Sequence, residues 1–208
     1  MAPASAIATR RKNAVESFKT AAECIGTIES GHSLFAITRG QFSMIDAVLA
    51  CLDQSGNADI SLWTWTVAEY EIECLERLRQ DNRVKSGTLI IDHGARNKNA
   101  ELIRQWKSTF GPNSVRYVVN HSKIATVQSE KFKLLLRGSM NLNYNPRFEQ
   151  FDLTEGGKDF DLVKNIEAEL PILGDDCKGE DVYKGSKVAA AFEPQQLALF
   201  GGTKVWAK

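Results

Sequence analysis

Apolar positions along the chain fall into short blocks that alternate between two spacings. Val15, Phe18, Ala22 and Ile25 recur at helical spacing and predict a helix over 13–28. A strand over 33–38 then leads through Arg39-Gly40-Gln41 into a helix over about 42–52. Asn57-Ala58-Asp59 turns the chain into an alternating strand over 60–65. Ile72, Leu75 and Leu78 mark a helix over 68–80, and Ser86-Gly87 opens a strand over 88–92. The next helix, 99–110, is stopped by Gly111-Pro112. A strand begins at 115–119 and runs to 127, a polar loop of hairpin length covers 128–131, and a second strand returns over 132–137. A last helix over 158–170 ends at Pro171. Strands alternating with helices predict a mixed α/β sandwich with a largely parallel sheet and a hairpin near its end.

At 208 residues this is one domain with tails, large enough to bury a core. Residues 1–9 are small and Ala-rich and precede Arg10-Arg11-Lys12, which reads as a flexible arm, placing 1–29 as an N-terminal arm and helix. From Ile172 to Ala189 the composition is that of a linker, so 30–171 reads as the folded domain and 172–208 as a flexible tail. No apolar run is long enough to span a membrane, and the N-terminus lacks the apolar stretch of a signal peptide. Cys24, Cys51, Cys74 and Cys177 are scattered without metal-ligand spacing, which favours reduced thiols in a cytoplasm over a zinc site or a disulfide framework.

The net charge of zero hides an uneven spread. Residues 101–150 hold eight Lys or Arg against three acids, and 151–183 hold ten acids against three lysines. A basic field followed by an acidic flank suits a polyanionic substrate. From that field Lys133, Arg137 and Arg147, with Arg39 and Arg96 from strand ends, are the candidate substrate-binding cations. The strand ends after 38, 65 and 92 converge on one side of such a sheet and also bring Trp63, Trp65 and His93 into question. Trp63 and Trp65 share a strand face and read either as base-stacking rings or, at about two to one, as aromatic core.

The chemistry concentrates in 120–152. In a strand, residues two apart share a face, so His121 and Lys123 project side by side. The returning strand ends in Gly138-Ser139-Met140-Asn141, which brings Ser139 and Asn141 to the mouth of the first. A neutral imidazole can attack phosphorus while an ammonium, a carboxamide and a hydroxyl meet the charge that builds on the non-bridging oxygens.

His121-Ser122-Lys123 followed by Gly138-Ser139-Met140-Asn141 resembles the signature of the phospholipase D superfamily, His-x-Lys-x4-Asp and then Gly-Ser-x-Asn. The resemblance covers roughly 30–170 and implies a nucleophilic His121 that forms a phosphohistidine with no metal or other cofactor. It implies phosphate binding by Lys123 and Asn141, and a second histidine as general acid. Gln128 stands where the family usually has an Asp that some nuclease branches also lack. Many members carry a further carboxylate that orients the histidine. Here Asp152 or Glu149 fills that place, with Asp152 slightly preferred. Only one such motif is present, and single-motif members build one site from two chains, which implies a homodimer with two His121 rings facing each other.

The tail carries Gln196-Leu197-Ala198-Leu199-Phe200, which resembles the peptide with which bacterial proteins dock on the β sliding clamp. The resemblance implies a polar subsite for Gln196 and an apolar pocket for Leu199 and Phe200, beside Leu197, and a bacterial or phage origin. The competing reading is a segment that folds back over the core. Together these features predict a nuclease acting on DNA, with RNA left open, held at replicating DNA by its tail. The alternative is a DNA- and clamp-binding factor with a weak or inactive site. A lipid-cleaving role fits least.

Overall fold

The computed structural model describes residues 13–15, 20–143 and 146–187. Eight strands form one mixed sheet. They are β1 (Asn13–Val15), β2 (Ser33–Arg39), β3 (Ala58–Thr64), β4 (Val84–Asp92), β5 (Val115–Val118), β6 (Lys123–Gln128), β7 (Lys133–Gly138) and β8 (Phe148–Glu155). Their spatial order is β1-β2-β8-β7-β6-β3-β4-β5. The helices are α1 (Ala21–Ile25), α2 (Met44–Ser55), α3 (Glu69–Gln80), α4 (Ala100–Phe110), α5 (Lys158–Glu169) and α6 (Gly179–Ser186).

Strand alternation sorts the side chains into two layers. Leu34 and Ala36, Ile60 and Leu62, Leu89 and Ile91, Ala125 and Val127, Leu134 and Leu136, and Phe151 and Leu153 share the main core with Ile72, Leu75 and Leu78 of α3 and Ile103 and Trp106 of α4. The opposite face buries Leu135 against Phe160 and Val163 of α5, with Trp63 and Ile124 packed alongside. Helix α2 is started by a capping box in which the Ser43 side chain accepts from Asp46 N–H and the Asp46 carboxylate accepts from Ser43 N–H. Glu69 and Glu71 in the first turn of α3 and Arg77 and Arg79 in its last complement the helix dipole. Burial pushes the Cys24 thiol up to about 11, and none of the four cysteines is paired.

The sheet is mixed, as the alternation of elements implies, but its centre is antiparallel. Four of the seven pairings among the described strands are antiparallel and three are parallel. The helix-linked strands β2, β3, β4 and β5 run in one direction. The segments after β5 then return as β6, β7 and β8 and fill the gap between β3 and β2, so the expected largely parallel sheet is interrupted at its middle. Strand β8 is a new element with respect to the sequence pattern.

Three local expectations also change. Within the expected helix over 13–28, Asn13–Val15 form strand β1, paired in parallel with β2, and Ala21–Ile25 form the short α1. The expected strand from 115 to 127 breaks at 119–122, and its halves lie apart, β5 at the sheet edge and β6 in the centre. The linker-like stretch after 172 contains α6, whose Val182 is fully buried in the main core. The peptide 196–200, with Gln196, Leu197, Leu199 and Phe200, lies outside the described residues.

Candidate active site

The strand directions place the C-terminal ends of β2, β3, β4, β5 and β7 and the N-terminal ends of β6 and β8 at one end of the sheet. The loop from β5 to β6 crosses this end and carries His121. Asn120, 7 % exposed, fixes the loop. Its N–H donates to Asp92 Oδ2 at 2.9 Å, its Nδ2 donates to the Thr64 carbonyl at 3.2 Å, and its Oδ1 accepts from Ser122 N–H at 2.8 Å. The carboxamide thus ties the loop to the end of β3 and closes a local turn of the kind Asn side chains make, while the backbone N–H ties it to the end of β4. No motif singles out Asn120, so sequence reasoning passed it by.

His121 is exposed, while Lys123, at the start of β6, is only 8 % exposed. The two meet across the end of the loop, with His121 outside the strand that the sequence pattern gave it. Lys123 Nζ donates to the His121 carbonyl at 2.6 Å and lies 3.2 Å from His121 Nδ1. Burial pulls the Lys123 ammonium below the ordinary lysine range, and the charge of Glu149 opposes that shift. An ammonium can only donate, so the partner it finds in this contact is a ring nitrogen that carries no proton.

Gly138 pairs with Lys123 in register, which sets Ser139 beside the start of β6. A Cβ on Gly138 would sit 2.4 Å from the Gln150 carbonyl oxygen, so the glycine allows the close approach of β7 to β8. Ser139 N–H donates to that same carbonyl at 3.1 Å, and Ser139 Oγ donates to the Glu149 carboxylate. The chain then crosses to β3. There Asn141 Oδ1 accepts from Trp65 N–H at 3.3 Å and from Thr64 Oγ1 at 3.4 Å, while Thr64 Oγ1 also accepts from Leu142 N–H at 3.2 Å. With its oxygen held by β3, the Asn141 amide NH₂ is the part of the group left to face a ligand.

Glu149 shares strand parity with Phe151 and Leu153 and so lies on the Lys123 side of the sheet. Asp152 has the opposite parity. It pairs in register with Arg137, accepts from Gln150 Nε2, and lies on the α5 side. Between the two acids, therefore, Glu149 is the one whose charge reaches Lys123 and whose oxygen holds Ser139. A cleft of about 570 Å³ opens on the other side of this end, lined by Ser122, Lys123, Arg137, Gln150 and Asp152 and not by Glu149 or Ser139.

The candidate cations separate. Arg39 ends β2 at the active end, its guanidinium 5.3 Å from the centre of the Phe148 ring. Arg147 is exposed next to it in sequence to Phe148. Arg137 is paired with Asp159 at 3.1 Å. Lys133 stands at the far end of β7, 3.8 Å from Asp161, because β7 runs toward the site and Lys133 begins it. Arg96 is turned away, donating to the Cys177 carbonyl at 3.0 Å and lying over the Tyr117 ring. The acidic flank does not stand apart from the basic field. Asp159, Asp161 and Asp175 neutralise Arg137, Lys133 and Lys107.

The two tryptophans also part company. Trp63 is half-buried on the α5 face and donates from Nε1 to Glu167 at 2.8 Å, whereas Trp65 is 40 % exposed just past the end of β3. Gln128 lies at the far end of β6, in register with Asp59 and Lys133. Five residues separate it from Lys123, about 16 Å along a strand. Among the described residues, no group of three or more His, Cys, Asp or Glu could hold a metal ion, and no helix is long and apolar enough to cross a membrane.

No protein-family model matches the sequence, and no curated protein matches it. Solved structures do. Polyphosphate kinase from Porphyromonas gingivalis is similar over 66% of this chain and 26% of its own, at 16% identity and a TM-score of 0.50. NucT from Helicobacter pylori is similar over 64% of this chain and 92% of its own, at 11% identity and a TM-score of 0.49. Phosphatidylserine synthase from Haemophilus influenzae Rd KW20 is similar over 74% and 43%, at 14% identity and a TM-score of 0.49. The fold is thus phospholipase D-like, a mixed α/β sheet flanked by helices.

Proposed function

We propose that the chain is a metal-independent phosphodiesterase that cleaves DNA through a phosphohistidine on His121. The observation that carries the reading is the contact of Lys123 with His121, set beside Ser139 and Asn141 at one end of the sheet. A hydroxyl, an ammonium and a carboxamide around an exposed imidazole match what an in-line displacement at phosphorus needs. A phosphate oxygen that draws the Lys123 ammonium toward itself releases His121 Nδ1. The ring proton then passes to Nδ1, with Glu149 the nearby carboxylate of the right charge to hold it, and the Nε2 lone pair is free. The Nε2–P bond forms as the P–O bond to the leaving nucleotide breaks, and that oxygen takes a proton from a second imidazolium. Water then cleaves the P–N bond and restores His121.

The second imidazole comes from a partner chain in this reading. His32 and His93 complete the three histidines of the sequence, and in both the Nε2 atom is buried, which leaves His121 as the exposed ring. The tail peptide 196–200, through Gln196, Leu197, Leu199 and Phe200, tethers the enzyme to a β sliding clamp in the same reading. A flexible tether raises the local concentration of substrate without moving the folded body. Binding of the isolated tail to purified clamp, abolished by Leu199→Ala with Phe200→Ala, is the expected result there.

Cleavage of single- and double-stranded DNA in excess EDTA tests the chemistry. The wild type is expected to cut and His121→Ala to lose about 100- to 10,000-fold or more of the rate. DNA binding without cleavage in either protein would replace the enzyme with a DNA-binding factor on the same fold.

A further inference from the structure

The site end of the sheet carries two large rings in water that the phosphodiester chemistry does not use. Phe148 is 71 % exposed at the start of β8, and Trp65 is 40 % exposed after the end of β3. Phe148 has the strand parity of Gln150 and Asp152 and so starts β8 on the α5 side, where the cleft lined by Lys123, Arg137, Gln150 and Asp152 opens, and Trp65 follows β3 at the same end of the sheet. Trp65 N–H donates to Asn141 Oδ1, and Phe148 precedes Glu149, the acceptor of the Ser139 hydroxyl. The order β8-β7-β6-β3 puts the Ser139 and Lys123 strands between the two rings. Three inter-strand spacings separate them, about 14 Å across the sheet.

Exposing an aromatic ring to water is unfavourable, so a pair of them bracketing a charged site calls for an occupant. A duplex does not suit them, since its bases are already stacked on each other and present only their edges. An unpaired strand does, because every base then offers a free π-face. The Arg39 guanidinium lies 5.3 Å from the centre of the Phe148 ring, and Arg147 is exposed beside it, so positive charge for the backbone accompanies one of the two rings.

We infer that Trp65 and Phe148 are stacking platforms for the bases on either side of the phosphate held at Lys123 and His121, which makes single-stranded nucleic acid the substrate class. The inference rests on the phosphodiesterase reading and names the form of polyanion that the site takes. It also separates the rings by task from Trp63, whose indole is committed to Glu167 under α5.

The test compares a fluorescent oligothymidylate with an abasic strand of the same length, which keeps the phosphates and lacks the bases. Affinities are measured in the His121→Ala background, so that neither strand is consumed, for the single changes Trp65→Ala and Phe148→Ala and for Trp65→Phe. Each alanine change is expected to weaken the oligothymidylate by about 5- to 150-fold. The preference for the base-bearing strand over the abasic one is expected to collapse toward unity, and Trp65→Phe to restore part of it. Equal losses on both strands, no loss on either, or a change of oligomeric state as the sole effect would overturn the assignment, the last by making the rings a contact between copies of the chain. Cleavage of the oligothymidylate in EDTA by the protein with His121 intact reads the chemistry separately. Its failure would sink the phosphodiesterase reading, whereas cleavage of both strands with no base preference would sink only the platforms.

Discussion

Lys123 holds its charge in an environment that resists it, since burial disfavours the ammonium while Glu149 pulls the other way. The folded-state value lies below the ordinary one, so the folded protein binds fewer protons than the unfolded chain between the two. Stability from this group therefore rises with pH across that interval. Phosphate binding has the opposite dependence. If Lys123 holds the phosphate as proposed, binding is expected to be complete below the lowered value and lost as pH rises through it. The alkaline limb of kcat/KM is accordingly expected below about 10.4, the ordinary lysine value. Lys123→Arg should move the limb upward, because a guanidinium stays charged throughout. A limb that stays in place in that variant would belong to another group. Gln128 bears on the same residue-scale question. Its place at the far end of β6, in register with Lys133, keeps its side chain out of the surroundings of His121.

At the scale of elements, the loop between β5 and β6 depends on one side chain. Asn120→Ala removes a donor to Thr64 and an acceptor for Ser122 N–H in a nearly closed environment. The expected cost is about 1–3 kcal/mol of stability, a fall of several degrees in Tm for a chain of this size. His121 then samples positions away from Lys123, so kcat should fall with little change in KM. Asn120→Asp should restore the turn to Ser122 but not the bond to Thr64. An unchanged kcat in Asn120→Ala would make the residue structural only.

Much of this architecture was legible in the chain. The apolar periods of α3 and α4 and the β6–β7 hairpin stand where the pattern puts them, because each buries a complete face. The hairpin puts Gly138 opposite Lys123, a pairing between neighbouring segments that a local pattern can carry. Other parts carry little local signal. Strand β8 reads Phe-Glu-Gln-Phe-Asp-Leu-Thr-Glu, is half-exposed at its start, and is held by pairing on both sides. Helix α6 buries a single Val182, too little to set a period. The break at 119–122 is dictated by long-range partners, Asp92 and Thr64, that no window around His121 contains. The choice between Asp152 and Glu149 is likewise not local, because the faces of β8 are set by Phe151 and Leu153 in the core.

At the scale of the whole molecule the question is where the second imidazole comes from. One exposed ring per chain cannot both attack phosphorus and protonate the leaving oxygen in the same step. Two chains related by a two-fold axis supply two rings at once, since each presents the same patch to the other. The protein is therefore expected to sediment as a dimer at concentrations where it is active. The composite site also makes a quantitative demand. When His121→Ala protein is mixed with wild type and the chains exchange, a dimer retains two imidazoles only if both of its chains are wild type. Activity per total protein should then follow the square of the wild-type fraction. A linear dependence under verified exchange would mean that each chain works alone.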